Sequence, residues 1–174
     1  VILRRTTAAL ALALAAAFAT GCAPDPEPVE TPPTFASEEE AFAAAEETYR
    51  AYVDALNSRR SDPGARPSPS SFLIGRALEV DVDTQTKFSQ EGLSIVGATR
   101  IVDLTHEHAS FAPLNVSLYV CLDSSATRVV NRSGQDVTPA SRETITLLAV
   151  DLILAGEDLA IENSVTRANG SCSV

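Results

Sequence analysis

The stretch Leu114 to Asp123 constrains this chain most: Leu114, Val116, Leu118, Val120 and Leu122 alternate with Asn115, Ser117, Tyr119, Cys121 and Asp123. Successive side chains of a strand point to opposite faces, so the pattern predicts a half-buried antiparallel strand. Leu and Val face a core, and Cys121 points to the opposite surface, toward whatever the C-terminal tail covers. The neighbouring segments fit the same sheet. Gly92 and Gly97 bracket Leu93, Ile95 and Val96, with a bulge expected near Gly97, and Arg100, Val102, Leu104, His106 and His108 are expected on one face of a continuing strand. Thr127 to Asn131 reads as a short strand and Ser133-Gly134-Gln135-Asp136 as a turn. Thr144 to Leu154 is apolar on both faces, as a central strand is, and Gly156-Glu157-Asp158 turns into a last strand, Leu159 to Thr166, with Leu159, Ile161 and Val165 on one face.

Upstream the period changes. Ser37 followed by Glu38, Glu39 and Glu40 forms a capping box with acids at the positive end of the helix dipole. Phe42, Ala45, Tyr49, Tyr52, Val53 and Leu56 then make one helical stripe. At this spacing core packing is favoured over a ligand platform for the tyrosines. Arg59 and Arg60 suit the helix C-terminus, and the helix is expected to stop before Ser61-Asp62-Pro63-Gly64. Between residues 72 and 90 local pattern is a tie: Leu78, Val82 and Thr86 are four apart, whereas Val80, Val82, Thr84 and Thr86 are β-branched and alternate.

The first residues read as a targeting segment. Arg4 and Arg5 precede an apolar run, Ala8 to Phe18, too short for a stable membrane span. The run ends at Ala19-Thr20-Gly21-Cys22, which resembles the lipobox of bacterial lipoproteins, with Ala19 where Leu is usual. The resemblance implies removal of residues 1–21, a diacylglyceryl lipid on the Cys22 thiol, and a mature protein held at the outer face of a membrane. Two acyl chains are what stable retention needs. Residues 22–36 follow as a tether, with Pro24, Pro26, Pro28, Pro32 and Pro33 interleaved with Asp25, Glu27 and Glu30, and residues 37–174 form a single domain. Lipidation of Cys22 leaves two of the three cysteines, Cys121 and Cys172, in an oxidising setting, and a disulfide between them is expected.

The fold class expected is α+β: an N-terminal helix or helices against a curved antiparallel sheet of about five strands. This order resembles the nuclear transport factor 2-like cone. The resemblance rests on the helix Glu38 to Asn57 with its tyrosine pair, the strand ending Val120-Cys121-Leu122-Asp123-Ser124, the Gly134 turn and the closing Gly170-Ser171-Cys172. It tips residues 72–90 toward helix and implies a pocket enclosed by sheet and helices. Leu159 stands about where such domains often carry Trp.

Chemistry is sparse. The net charge of −10, becoming −12 once Arg4 and Arg5 leave, argues against a nucleic-acid partner, because phosphate binding needs clustered cations. Twelve Arg against one Lys, with many alanines, points to GC-rich bacterial coding. His106-Glu107-His108 is a weak metal candidate: on a regular strand both imidazoles share a face, but no third ligand is identifiable. Asp81-x-Asp83 lacks the glycine and terminal glutamate of an EF-hand. No phosphate loop, dinucleotide fingerprint or nucleophile elbow is present. No catalytic residue and no cofactor are expected. The leading expectation is a lipid-anchored, extracytoplasmic binding or accessory domain for an envelope protein or apolar small ligand. The alternative is a small pocket enzyme of isomerase or dehydratase type using His106 or His108 as base.

Overall fold

The computed structural model describes residues 35–168 together with Gly170 and Cys172. The leader, Cys22 and the tether up to Thr34 lie outside the described residues. Helix α1 spans Glu38–Ser61, running through Arg59 and Arg60 and one residue further than its sequence suggests. The Ser37 hydroxyl accepts the Glu40 N–H at 3.2 Å, and the Glu40 carboxylate in turn accepts the Ala36 N–H at 2.8 Å. The capping box is thus reciprocal, displaced by one residue on its return arm. Ala41, Ala45, Tyr49 and Val53, four apart, form the buried line of α1, and the two alanines let the helix approach the sheet closely.

A single 3₁₀ turn, Pro69–Phe72, leads to α2, Gly75–Glu91. From Gly75 onward the segment is therefore helical, as the resemblance implied, while Leu73 and Ile74 before it are extended. Of the stripe expected on α2, Leu78 packs against the core, whereas Val82 is exposed, and no residue of α2 is fully buried. Its inner side is Ala77, Val80, Thr84 and Phe88.

Among the described residues six strands form two antiparallel sheets: β1 (Ser94–Val96) pairs with β4 (Arg128–Val130), and β2 (Arg100–Phe111), β3 (Leu114–Asp123), β5 (Ile145–Ala155) and β6 (Asp158–Thr166) lie in the order β2-β3-β5-β6. The fold is α+β, with helices packed on antiparallel sheets. Val116, Leu118 and Val120 of β3 meet Val150 and Leu152 of β5, Leu159 and Ile161 of β6, and the buried line of α1 in one core. The core relies on Val, Leu, Ile and Ala, with Tyr49, 1% exposed, as the fully buried ring among the described residues.

Two expectations about faces fail, both because strands carry an inserted residue. In β2 the register shifts at Val102 and at Glu107, so that Leu104 pairs with Val120 and His106 with Leu118 on the core side, while His108 pairs with Ser117 on the other side. Arg100, opposite Asp123, and Val102 do not share that core side. In β6 the extra residue is Glu162, which leaves Ile161 opposite Leu152 but puts Val165 opposite Ala149, on the far face. The bend near Gly97 is a turn before β2 and not a bulge. Gly97 has φ +84°, and a Cβ there would lie 2.1 Å from the Ala126 carbonyl oxygen.

Cys121, on the face away from the core, is bonded to Cys172, with Cα atoms 5.7 Å apart. The tail reaches it across that outer face: the Arg167 N–H donates to the Leu147 carbonyl at 2.9 Å, and the Arg167 guanidinium lies over the Tyr119 ring, 5.4 Å from its centre. The residues from Phe35 onward thus hold their own core and cross-link and form one compact unit.

Candidate functional site

The main concavity is a cavity of about 700 Å³ between α2, the second half of α1, and β6. Its apolar wall comes from Tyr52 and Leu56 of α1, Ala77, Val80 and Phe88 of α2, and Ile161 of β6. The approach to α2 explains why the space exists. Leu73 bridges to Ile161 at the open edge of β6, and the Ile74 N–H donates to the Ile161 carbonyl at 3.0 Å. Gly75, at φ +50°, then turns the chain into α2, which packs mainly along the edge strand β6.

The charged groups on this wall are Arg59, Arg60, Arg76 and Asp81. Arg59 grips Asp81 through both nitrogens, at 3.1 and 2.9 Å, and the Ser70 hydroxyl donates to the same carboxylate at 3.3 Å. Asp81 is thereby committed to tying α2 to α1, and it is not half of a calcium pair with Asp83. Arg60 donates to Asn57 Oδ1 at 3.2 Å and Thr99 Oγ1 at 2.8 Å, and no carboxylate lies within ion-pair distance of it among the described residues. Burial, and next the positive charge of Arg59, press the Arg60 pKa downward. The Tyr52 hydroxyl is pushed up to about 12, first by burial and then by the Asp81 charge.

A second, smaller cavity of about 430 Å³ is lined by Phe35, Ala44, Phe72 and Leu159 beside Glu47, Glu157 and Asp158. Neither His106 nor His108 lines either cavity. His106 stacks on Phe42 and has its Nε2 3.7 Å from Glu46 Oε2, and His108 faces the opposite side of the sheet. The geometry accordingly offers neither histidine as a base in a pocket, nor the two together as metal ligands. Among the described residues no group of three or more His, Cys, Asp or Glu converges as a metal site.

The sequence places Tyr52 against the core, where it does pack while also lining the cavity, and it shows Arg59 and Arg60 only as partners of the helix dipole. The spacing 77, 80, 84, 88 on α2 was the available signal for the cavity wall, masked by the competing Leu78, Val82, Thr86 stripe.

No protein-family model matches the chain, and no curated protein matches it either. Among solved structures the chain is similar to the intermembrane space region of the chloroplast protein ARC6, with a TM-score of 0.43 at 14% identity, over 69% of this chain and 94% of that one. A likeness of that size carries no statement about ligand or partner.

Proposed function

We propose that this protein is a lipid-anchored, extracytoplasmic binding domain that acts without catalysis and takes an apolar small ligand under α2. The observation that carries the binding reading is the inner face of α2, where Ala77, Val80 and Phe88 line an open cavity of about 700 Å³. Val80 is 52% exposed there. Protein interiors pack to near-crystalline density, and a helix that leaves an apolar face over a void of ligand size is suited to closing on a guest. The nuclear transport factor 2-like resemblance, which implies a pocket between helices and sheet, supports the same reading.

The anchor rests on the leader and on Cys22. Among the described residues no helix is long and apolar enough to cross a membrane. Membrane retention in cells is expected to be lost in Cys22→Ser, and retention of that variant would remove the anchor from the reading.

Val80→Trp tests the pocket. The indole is expected to fill the cavity, raise the stability of the domain by about 1 kcal/mol through added burial, and abolish saturable fluorescence enhancement of the neutral apolar dye Nile red. Unchanged dye binding with lowered stability would show that the void is not the binding site.

A further inference from the structure

The charge on the cavity wall narrows the guest. Arg59, Arg60 and Arg76 face a single acid, Asp81, in a chain whose net charge is −10. Since Asp81 is neutralised by the two-pronged grip of Arg59, the uncompensated positive charge belongs to Arg60 and Arg76. We propose that the ligand is a single-chain amphiphile with an anionic head, its chain lying along Tyr52, Val80 and Phe88 and its head accepting hydrogen bonds from Arg60. The proposal rests on the pocket reading and deepens it.

Three observations support it. First, Arg60 is held by neutral partners only: Asn57 Oδ1 and Thr99 Oγ1 both take hydrogens from Nη1, which fixes the guanidinium and leaves its other nitrogens without a described partner. Asn57 is itself braced, its amide donating to the Thr99 carbonyl at 2.9 Å and its Oδ1 accepting the Thr99 N–H at 2.9 Å. The guanidinium is therefore pre-positioned, which lowers the ordering cost of binding.

Second, burial and the neighbouring charges of Arg59 and Arg142 disfavour the cation at Arg60, and an arginine cannot relieve this by losing its proton. An entering anion relieves it, whereas a cationic guest would add to it. Third, the rest of the wall is apolar or neutral, so a small inorganic anion would leave most of the cavity unfilled.

Displacement of Nile red from the domain beginning at Phe35 provides the test, with four chain-matched probes: dodecanoate, dodecyl phosphate, dodecanol and dodecyltrimethylammonium. Both anions are expected to bind about tenfold more tightly than dodecanol, the effect of one charge-assisted hydrogen-bonded contact. The cation is expected to bind more weakly than dodecanol. Arg60→Gln should abolish the preference for the anions and leave dodecanol within about twofold. Should that variant fail to fold, Arg76→Gln and added salt are the second arm, each reducing the preference in the otherwise intact cavity.

Equal affinity for dodecanol and dodecanoate would overturn the head-group assignment while leaving the pocket standing. Failure of all four probes to displace the dye would remove the pocket itself. Inorganic phosphate alone is expected not to displace dodecyl phosphate, and competition by it at similar concentration would mean that the site recognises a free anion and not an amphiphile.

Discussion

The rings of Phe42 and His106 stack face to face, with centroids 4.3 Å apart and planes 2° from parallel. The contact joins α1 to β2 beside the register shift at Glu107 that separates the two histidines. His106 turns inward onto Phe42 and toward Glu46, while the inserted Glu107 accepts a hydrogen bond from the Tyr119 hydroxyl on the outer face. An aromatic pair of this kind contributes about 1 kcal/mol beyond its buried area. His106→Ala is therefore expected to cost about 1 kcal/mol in urea denaturation, and His108→Ala less than about 0.5 kcal/mol. Zinc is expected to leave the melting temperature of either variant and of the parent unchanged, since His106 and His108 lie on opposite faces and no metal-ligand cluster converges among the described residues.

What the sequence displays and what it hides have a common cause here. A side-chain period of two or of 3.6 is visible in β3 and α1 because one face of each meets a continuous core. An inserted residue preserves the local look of alternation and inverts everything after it, so Val102, Glu107 and Glu162 left His108 and Val165 assigned to the wrong face. The cavity was hidden for a related reason. Ala77, Val80 and Phe88 look like ordinary core positions, and only the three-dimensional path through Leu73 and Gly75 shows that they line a cavity. The pairing of Arg59 with Asp81, 22 residues apart, likewise has no local signature.

The bridge between Cys121 and Cys172, 51 residues apart, holds the tail against the outer face of the sheet. A loop of that length removes about 4 kcal/mol of unfolded-state entropy in the chain-entropy model. The double variant Cys121→Ser/Cys172→Ser is expected to lose about that much stability in urea titrations. Adding a reductant to the parent should reproduce the loss, and should have no effect on the double variant.

Asp123 gives the fold an acid-side weakness. The carboxyl accepts hydrogen bonds from Ser125, whose N–H lies at 2.8 Å, and from Arg100 Nη2 at 2.6 Å, and these hold its pKa at about 2. In the unfolded chain the group titrates at about 3.9. Its stabilising contribution is therefore complete above pH of about 4 and disappears as the pH falls toward 2, because the unfolded state takes up the proton first. Asp136, lowered chiefly by hydrogen bonds from Thr138, contributes with the same sign. Denaturation between pH 5 and 2 is expected to show a shallower loss of stability in Asp123→Asn than in the parent, from a lower starting value at pH 5.

Asp81 ties α2 to α1 at the cavity wall, and its removal is expected to separate the stability of the domain from the closure of its pocket. The side chains of Arg59 and Asp81 are 21% and 10% exposed, so their charges are only partly screened. Asp81→Asn keeps the shape but leaves Arg59 without its anion, at a cost of about 2 kcal/mol. The cost falls unevenly. The core of α1, β3, β5 and β6 does not include Asp81, whereas α2 has no fully buried residue to hold it in place. Amide exchange in Gly75–Glu91 is therefore expected to accelerate strongly in Asp81→Asn, while amides of β3 and β5 change only by the global loss. Uniform acceleration across both regions would mean that α2 unfolds only with the whole domain, and that it does not open separately to admit a ligand.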